Sequence, residues 1–279
     1  MKHTKRSSPE ELRRHYELEK SWAQRLKNAA RFERRLLYHH VYDELFKEIP
    51  SLRAVTQKAD KEAWLKPSPQ LRWIKPFLTS QTVFLEVGAG NCKFAFEVSQ
   101  YVRRVYAIEA SRTIAEHQNY PANFNLIISD ATTIPLPDNS VDIIYSRHLL
   151  EHLHPEDALE HLQNSCRVLK PGGCYICLTP NRLFGPYDAS KYFDDTATGL
   201  HLKEYSATEM LHLFKSIGFR AIRFHIKVLG RIMALPINPM VGYESLLNNL
   251  SRSLRRLISG CVLVKSLITV RLIAQKRGC

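Results

Sequence analysis

From about residue 80 onward the chain repeats one pattern, a short apolar run followed by a longer polar stretch of helical period. The runs VFLEV (83–87), VYAIE (105–109), NLII (125–128), VDIIYS (141–146) and CYICLT (174–179) are short, rich in β-branched residues and apolar on successive positions. That is the signature of strands buried on both faces. Helical stretches between them predict a parallel sheet joined by crossover helices. The spacing predicts a helix from Pro155 to Leu169, stopped by a tight turn at Pro171-Gly172-Gly173, and another from Ser206 to Ile217, closed by Gly218. Further strands are expected at 221–228 and 268–274, separated by an insertion over 231–265 that carries the Leu/Arg-rich helical stretch LLNNLSRSLRRLI.

The first 75 residues read differently. Between Pro9 and Phe46 there is no further Gly or Pro, and Leu12, Tyr16, Glu19, Ala23, Leu26 and Ala30 fall at mostly helical spacing. Two helices are expected. The first begins at SSPEE, with Ser8 as its cap, Pro9 in its first turn and two acids facing the positive end of its dipole. A second apolar stripe, Leu36, Leu37, Val41, Leu45 and Phe46, ends at Pro50, and Pro67, Pro69 and Pro76 mark loops.

Charge follows the same division. The 279 residues are 44% apolar and carry a net charge of +13, which suggests an anionic partner such as nucleic acid or a membrane surface. Residues 1–75 hold 18 basic and 10 acidic side chains, residues 76–227 hold 14 and 16, and the remainder hold 8 and 1. The excess therefore sits in two basic flanks around a slightly acidic middle. The charged start, MKHTKRSSPEELRRH, has no apolar secretory stretch, so the expectation is a cytoplasmic protein. Lys265 and Arg271 interrupt the most apolar C-terminal segment well short of a membrane span. Six scattered cysteines make no disulfide framework, and Cys174 and Cys177 point to opposite faces of one strand.

Chemistry collects where the strands end. The first runs into EVGAGNC, which places Glu86, Gly88 and Gly90 where strand becomes helix; glycines there let the backbone curl around a ligand. Glu109 ends the second strand 21 residues after Gly88, where a carboxylate can accept both hydroxyls of a ribose. Asp130 ends the third, where an acceptor beside a backbone N–H can read an adenine edge. Three carboxylates at successive strand ends describe a crevice for an adenosine ligand. The segment SRHLLEHLH after the fourth strand offers His148 and His152 as bases. It also matches the HxxEH zinc pattern, but directly after a strand it lacks the long helix that pattern requires, and no metal is expected. Asn181, His201 and Tyr205 lie in a polar, aromatic loop over the same edge and are expected to contact substrate.

The ordered set EVGAGNC, VYAIEAS, SDATTIPLPDNSVDIIYS, LEHL, CRVLKPGG, LTPN and HLKEYSATEMLHLFKSIGF resembles the class I S-adenosylmethionine (SAM) dependent methyltransferases, specifically the Rossmann-like small-molecule group called type 11. The resemblance covers about residues 76–277. It implies an α/β fold, a doubly wound, seven-stranded, mostly parallel sheet whose last strand is antiparallel, with a basic helical N-terminal extension (1–75), a methyltransferase domain (76–279) and a helical cap over 231–265. It implies S-adenosyl-L-methionine as cofactor, with Glu86, Gly88, Ala89 and Gly90 along its methionine part, Glu109 on the ribose, Asp130 and Ala131 flanking the adenine, and Ser146 bordering the methionine part. One position departs: Cys92 stands where the group has its third glycine, which puts close packing there in doubt. The expected reaction is methyl transfer to a small-molecule, sugar-linked or lipid-linked acceptor at oxygen, with peripheral membrane contact through the basic flanks. An RNA methyltransferase is the alternative that the charge suggests, although no NPPY, DPPY or Pro-Cys pair is present. A nicotinamide-dependent oxidoreductase or an inactive binding scaffold is the alternative outside methyl transfer, and the missing third glycine and Asp130 oppose the oxidoreductase.

Overall fold

A computed structural model describes residues 8–49, 68–115, 119–228, 231–258, 261, 264 and 267–278. The expected stops at Pro50 and Pro67 and the boundary at Lys265 lie outside them. Helices α1 (Pro9–Asn28) and α2 (Arg31–Glu48) form as the periodicity requires, and the Ser8 side chain accepts from the Glu11 amide at 3.1 Å. The apolar faces of these two helices, through Trp22, Leu26, Tyr38, Val41 and Leu45, join one core with Leu85, Val87 and Ile108 of the sheet. The stretch expected to loop at Pro69 is instead a short helix, α3 (Pro69–Ile74). Ser68 caps it and Pro69, with no amide hydrogen to lose, fits its first turn.

The sheet comprises β1 (Val83–Val87), β2 (Arg104–Glu109), β3 (Phe124–Ile128), β4 (Val141–Arg147), β5 (Leu169–Pro180), β6 (Phe219–Val228), β7 (Arg231–Leu235) and β8 (Thr269–Lys276), in the order β3-β2-β1-β4-β5-β8-β6-β7. The first five strands pair in parallel. The C-terminal strand β8 is antiparallel as expected, and lies inside the sheet between β5 and β6. The count is eight rather than seven. RIMAL, at the start of the segment expected to be helical, pairs back on β6 from Val228↔Arg231 onward as an exposed edge strand. Only after it do α8 (Ile237–Asn248) and α9 (Arg252–Ile258) follow, with Ser251 between them.

Between β1 and β2 lies α4 (Lys93–Ser99), and between β2 and β3 the single turn α5 (Arg112–Ala115). Helix α6 (Pro155–Val168) precedes β5, and α7 (Ala207–Ile217) is closed by a Ser206–Glu209 capping box and by Gly218. The stop at KPGG takes the form of an outward loop within β5. Leu169 and Cys174 pair with Val141 and Ile143 of β4, so residues 170–173 have no partners in that ladder. Because β1 pairs with β2 on one side and β4 on the other, the crevice of this doubly wound sheet opens at the carboxyl ends of those strands.

Candidate active site

The loop after β1 supplies the floor of the crevice. Gly88 and Gly90 adopt φ of +72° and +55°, and the Gly88 and Ala89 amides donate to the Ile108 carbonyl at 2.9 and 3.0 Å. Cys92 also sits at φ +55°, the left-handed conformation a glycine takes freely. An L-residue there costs on the order of 1–2 kcal/mol, set against the complete burial of its thiol. Glu86 is buried, its Oε2 has no hydrogen-bond partner, and burial raises its pKa well above the usual carboxylate range.

Glu109 shapes this loop. Its Oε2 accepts from the Gly90 amide at 2.7 Å, and its Oε1 accepts from Ala110 and Ser111 at 2.9 and 3.1 Å. Burial pushes its pKa up, against the pull of those three amides. At the end of β3, Asp130 turns the chain by accepting from the Thr132 and Thr133 amides at 3.0 and 2.9 Å, and Arg35 of α2 approaches it to 3.6 Å. The next residue, Ala131, has φ +67°, and its carbonyl accepts from His161 Nδ1 at 2.7 Å. His161 Nε2 lies 2.6 Å from the Tyr175 hydroxyl, itself 2.8 Å from Ser146 Oγ. Ser146 is thus fully buried and belongs to a polar chain behind the crevice wall. Burial holds the His161 pKa down to about 4.

One cleft gathers most of the expected residues: Gly88, Gly90, Glu109, Asp130, Ala131, His148 and His152 line it. It also has a wall that sequence reasoning missed, formed by Tyr38, Tyr42 and Phe46 of α2. The signal was present, since these aromatics recur every fourth residue and share a helix face. Helix α2 is tied to the crevice by His39 Nδ1, 2.8 Å from the Ala110 carbonyl, and by the Ser111 hydroxyl donating to Asp43 at 2.5 Å. A larger cavity lies at the opposite edge of the sheet, around Thr79, Asp142, Lys170 and Gln275. It faces the amino end of β4, away from the strand ends where such folds place ligands.

The histidines divide into two settings. His148, half-exposed with φ +55°, places Nδ1 at 2.9 Å from Glu151 Oε1. Glu151 is fully buried and also accepts from the Thr179 hydroxyl at 3.0 Å. Burial alone would raise its pKa, but the His148 hydrogen bond and the charges of His148, His152 and His201 hold it at about 2. Residues 150–152 form a single 3-10 turn, so the HLLEH segment lacks the helical geometry of a zinc helix. His152 instead donates from Nδ1 to the Leu200 carbonyl at 3.0 Å, and its ring meets that of His201 edge-on at 4.8 Å. Burial, and next the His201 charge, hold the His152 pKa near 4. His201 Nδ1 bonds Glu204 Oε1 at 2.7 Å; burial opposes its charging, but Glu204 and Glu151 outweigh it and raise its pKa.

His201 lines a second pocket with Arg182, Lys203, Glu204 and Arg255. Asn181 and Tyr205 line neither cavity. Asn181 donates to Glu244 Oε1 at 3.2 Å and caps the Leu183 amide at 3.1 Å, and Tyr205 is buried beside it. Asn181 thus joins the end of β5 to α8. Cys92, Cys166, Cys174, Cys177 and Cys261 are free thiols, and no helix of the described residues is long and apolar enough to cross a membrane.

Residues 85–177 match the family model described as a methyltransferase domain. The chain is 30% identical over 138 residues to a Mycolicibacterium smegmatis protein named as a probable S-adenosylmethionine-dependent methyltransferase, covering 48% of this chain and 51% of that one. It is 24% identical over 149 residues to a demethylmenaquinone methyltransferase of Geobacillus, covering 50% and 61%. The chain thus spans about half to three-fifths of the length of these curated relatives. Its fold is shared with a solved SAM-dependent methyltransferase of Archaeoglobus fulgidus, at a TM-score of 0.52 and 19% identity over 74% of this chain and 91% of that one. The matched domain, the strand order and the glycine loop at the end of β1 liken residues 85–177 to the methyltransferase domain of SAM-dependent enzymes, on a Rossmann-like fold.

Proposed function

We propose that the chain transfers the methyl group of SAM to an oxygen of a small-molecule, sugar-linked or lipid-linked acceptor. The observation that carries this reading is the Glu109 carboxylate, gathered by three backbone amides at the rim of a cleft whose other walls are Asp130, Ala131 and the α2 aromatics. The residues fit the cofactor. Glu86 holds a buried carboxylate oxygen with no partner, suited to a cationic amino group, and a Cβ on Gly90 would meet no protein atom within 4 Å, so the space there is free for a ligand. Bound SAM supplies an electrophilic methyl group on a sulfonium.

In this reading Glu86, Gly88, Ala89 and Gly90 follow the methionine part, and Ser146 supports it from behind through Tyr175. Glu109 accepts the ribose hydroxyls, and Asp130 and Ala131 border the adenine. His148 is the base. Its Nδ1 is committed to Glu151, which leaves Nε2 to take the acceptor's hydroxyl proton as the acceptor oxygen gains the methyl and the sulfonium C–S bond breaks to leave S-adenosylhomocysteine, while Glu151 stays ionised and orients the ring. His152, held as a neutral imidazole, borders the acceptor with His201. The relative named for demethylmenaquinone supports the lipid-like end of the acceptor range.

Glu109→Gln tests the cofactor assignment. Replacing a charged acceptor should weaken S-adenosylhomocysteine binding by about 10- to 100-fold in calorimetry. Unchanged affinity would remove Glu109 from the site. A screen of fractionated metabolites and lipids for S-adenosylhomocysteine release should then identify the acceptor. With it, His148→Ala should lower kcat by about 10²- to 10⁴-fold at unchanged cofactor affinity. Equal turnover by that variant would refute His148 as base.

A further inference from the structure

We propose that Glu151, His152 and His201 form a binding site for a divalent transition-metal cation, set in the wall between the cofactor cleft and the pocket beside it. The three side chains each offer a ligand atom, and these atoms lie within 4.8 Å of one another, a spacing one ion can satisfy. Two imidazoles and one carboxylate are a donor set for zinc and its first-row neighbours, and three protein ligands leave a coordination position open.

The orientation of both rings is an independent argument. His152 Nδ1 is fixed on the Leu200 carbonyl and His201 Nδ1 on the Glu204 carboxylate, which leaves each ring its Nε2 as the atom available to a shared ion. A backbone carbonyl and a carboxylate are the two partners that metal-bound histidines habitually take on their other nitrogen. Glu204 is itself fixed, accepting from the Tyr187 amide at 2.7 Å and lying against Gly185, where any Cβ would overlap its carboxylate.

Charge supplies the third argument. Glu19, Glu151, Asp188 and Glu204 are all buried around this point, and among the described residues none forms an ion pair with a lysine or arginine. Their cationic partners are histidines alone. Buried carboxylates call for compensating charge, and a divalent ion at the centre would supply it. The sequence pattern HLLEH contributed two of the ligands without its usual helix, and the third arrives from a loop 49 residues on.

His152 faces the cofactor cleft and His201 the neighbouring pocket, so the open coordination position is placed to hold an oxygen of the acceptor. That last role rests on the methyl-transfer reading; cation binding does not, and the two can fail separately. Cobalt(II) is the probe. Titrated into the full chain without cofactor or acceptor, it should bind at one equivalent with visible ligand-field absorption, and Zn²⁺ should displace it. His152→Ala and His201→Ala should each weaken cobalt binding by at least about 100-fold. Glu204→Gln should weaken it about 10- to 100-fold. His212→Ala, on the exposed face of α7, should leave it unchanged. S-adenosylhomocysteine affinity, measured on every variant, reports whether the domain is intact. Zinc-loaded wild-type protein should show two imidazole scatterers at about 2.0–2.1 Å by X-ray absorption, a test that needs no variant. Absence of cobalt binding by the wild type, equal binding by the His152 and His201 variants, or an absorption spectrum without imidazole would overturn the site.

Discussion

Arg34→Ala tests whether α2 is a structural part of the cofactor domain. Arg34 is buried, and its guanidinium grips the fully buried Asp157 of α6 through Nε and Nη2 at 2.7 and 2.8 Å. Nη1 also donates to the Ala29 carbonyl at 3.0 Å, holding the turn between α1 and α2. Removing the cation leaves Asp157 in the interior with the Tyr38 hydroxyl, 2.8 Å away, as its remaining side-chain partner. Breaking a buried pair from one side costs about 3–5 kcal/mol. Asp157 lies in the first turn of α6, where the helix dipole compensates part of its charge, so the low end applies, about 3 kcal/mol. At about 2 °C per kcal/mol for a chain of this size, the melting temperature should fall by about 6 °C in calorimetry. Glu156, on the same guanidinium at 2.7 Å but 67% exposed, sets the contrast: Glu156→Ala should shift it by no more than about 1 °C. Arg34→Met combined with Asp157→Leu should recover most of the loss, because neither charge is then left buried alone. Because α2 carries Tyr38, Tyr42 and Phe46 into the cleft, Arg34→Ala should also weaken S-adenosylhomocysteine binding several-fold. A single variant that melts like Glu156→Ala, or a double variant as unstable as the single, would refute the reasoning.

Three further outcomes follow from the same geometry. Gly90→Ala places a Cβ at φ +55° in empty cleft space, so it should cost about 1–2 kcal/mol of stability but more than tenfold in cofactor affinity; losses in the reverse proportion would show that the loop is structural alone. His161, with a folded pKa near 4 against 6.5 in the unfolded chain, contributes stability that is complete above pH 6.5 and falls by about 3 kcal/mol as pH drops to 4. His161→Gln should flatten that slope in denaturant titrations across the window, and an unchanged slope would reassign it. Removing residues 1–49 uncovers Leu150, Leu153 and Leu162 of the shared core, so the truncated chain should lose cooperative melting, and a sharp transition near the wild-type temperature would show the helices to be dispensable.

The parallel half of the sheet was legible because its strands announce themselves twice, as apolar runs and by what ends them. Glu86, Glu109 and Asp130 each stand at or beside a strand terminus, and a parallel sheet brings neighbouring termini together whatever lies between. The same logic could not reach β7. RIMAL is short and lies in a basic insertion, and only its pairing with β6 makes it a strand. Asn181 and Tyr205 show the converse limit. A polar loop after a strand end is the right place for a substrate contact, but here Asn181 turns to Glu244 and the Leu183 amide and Tyr205 is buried, which composition does not reveal.

Residues distant in sequence mark where reading one strand end at a time stops. The α2 aromatics complete the cleft at the strand ends from more than 40 residues before β1 ends, and His201 reaches His152 from a loop 49 residues later. Both contacts come from segments read by themselves, a basic extension and a loop expected to contact substrate. The charge pattern follows from this arrangement. Arg34 and Arg35 belong to the +8 flank, yet they face Asp157, Glu160 and Asp130, acids of the slightly negative middle. Part of the apparent polarity between flank and core is therefore spent inside the molecule, where it holds α2 over the cleft. An external anionic partner would have to be recognised by the remaining exposed cations, such as Lys27 and Lys47 of these helices and Lys227 and Arg231 at the hairpin edge. Neutralising those exposed residues is the substitution that separates a surface role of the flank from its structural one.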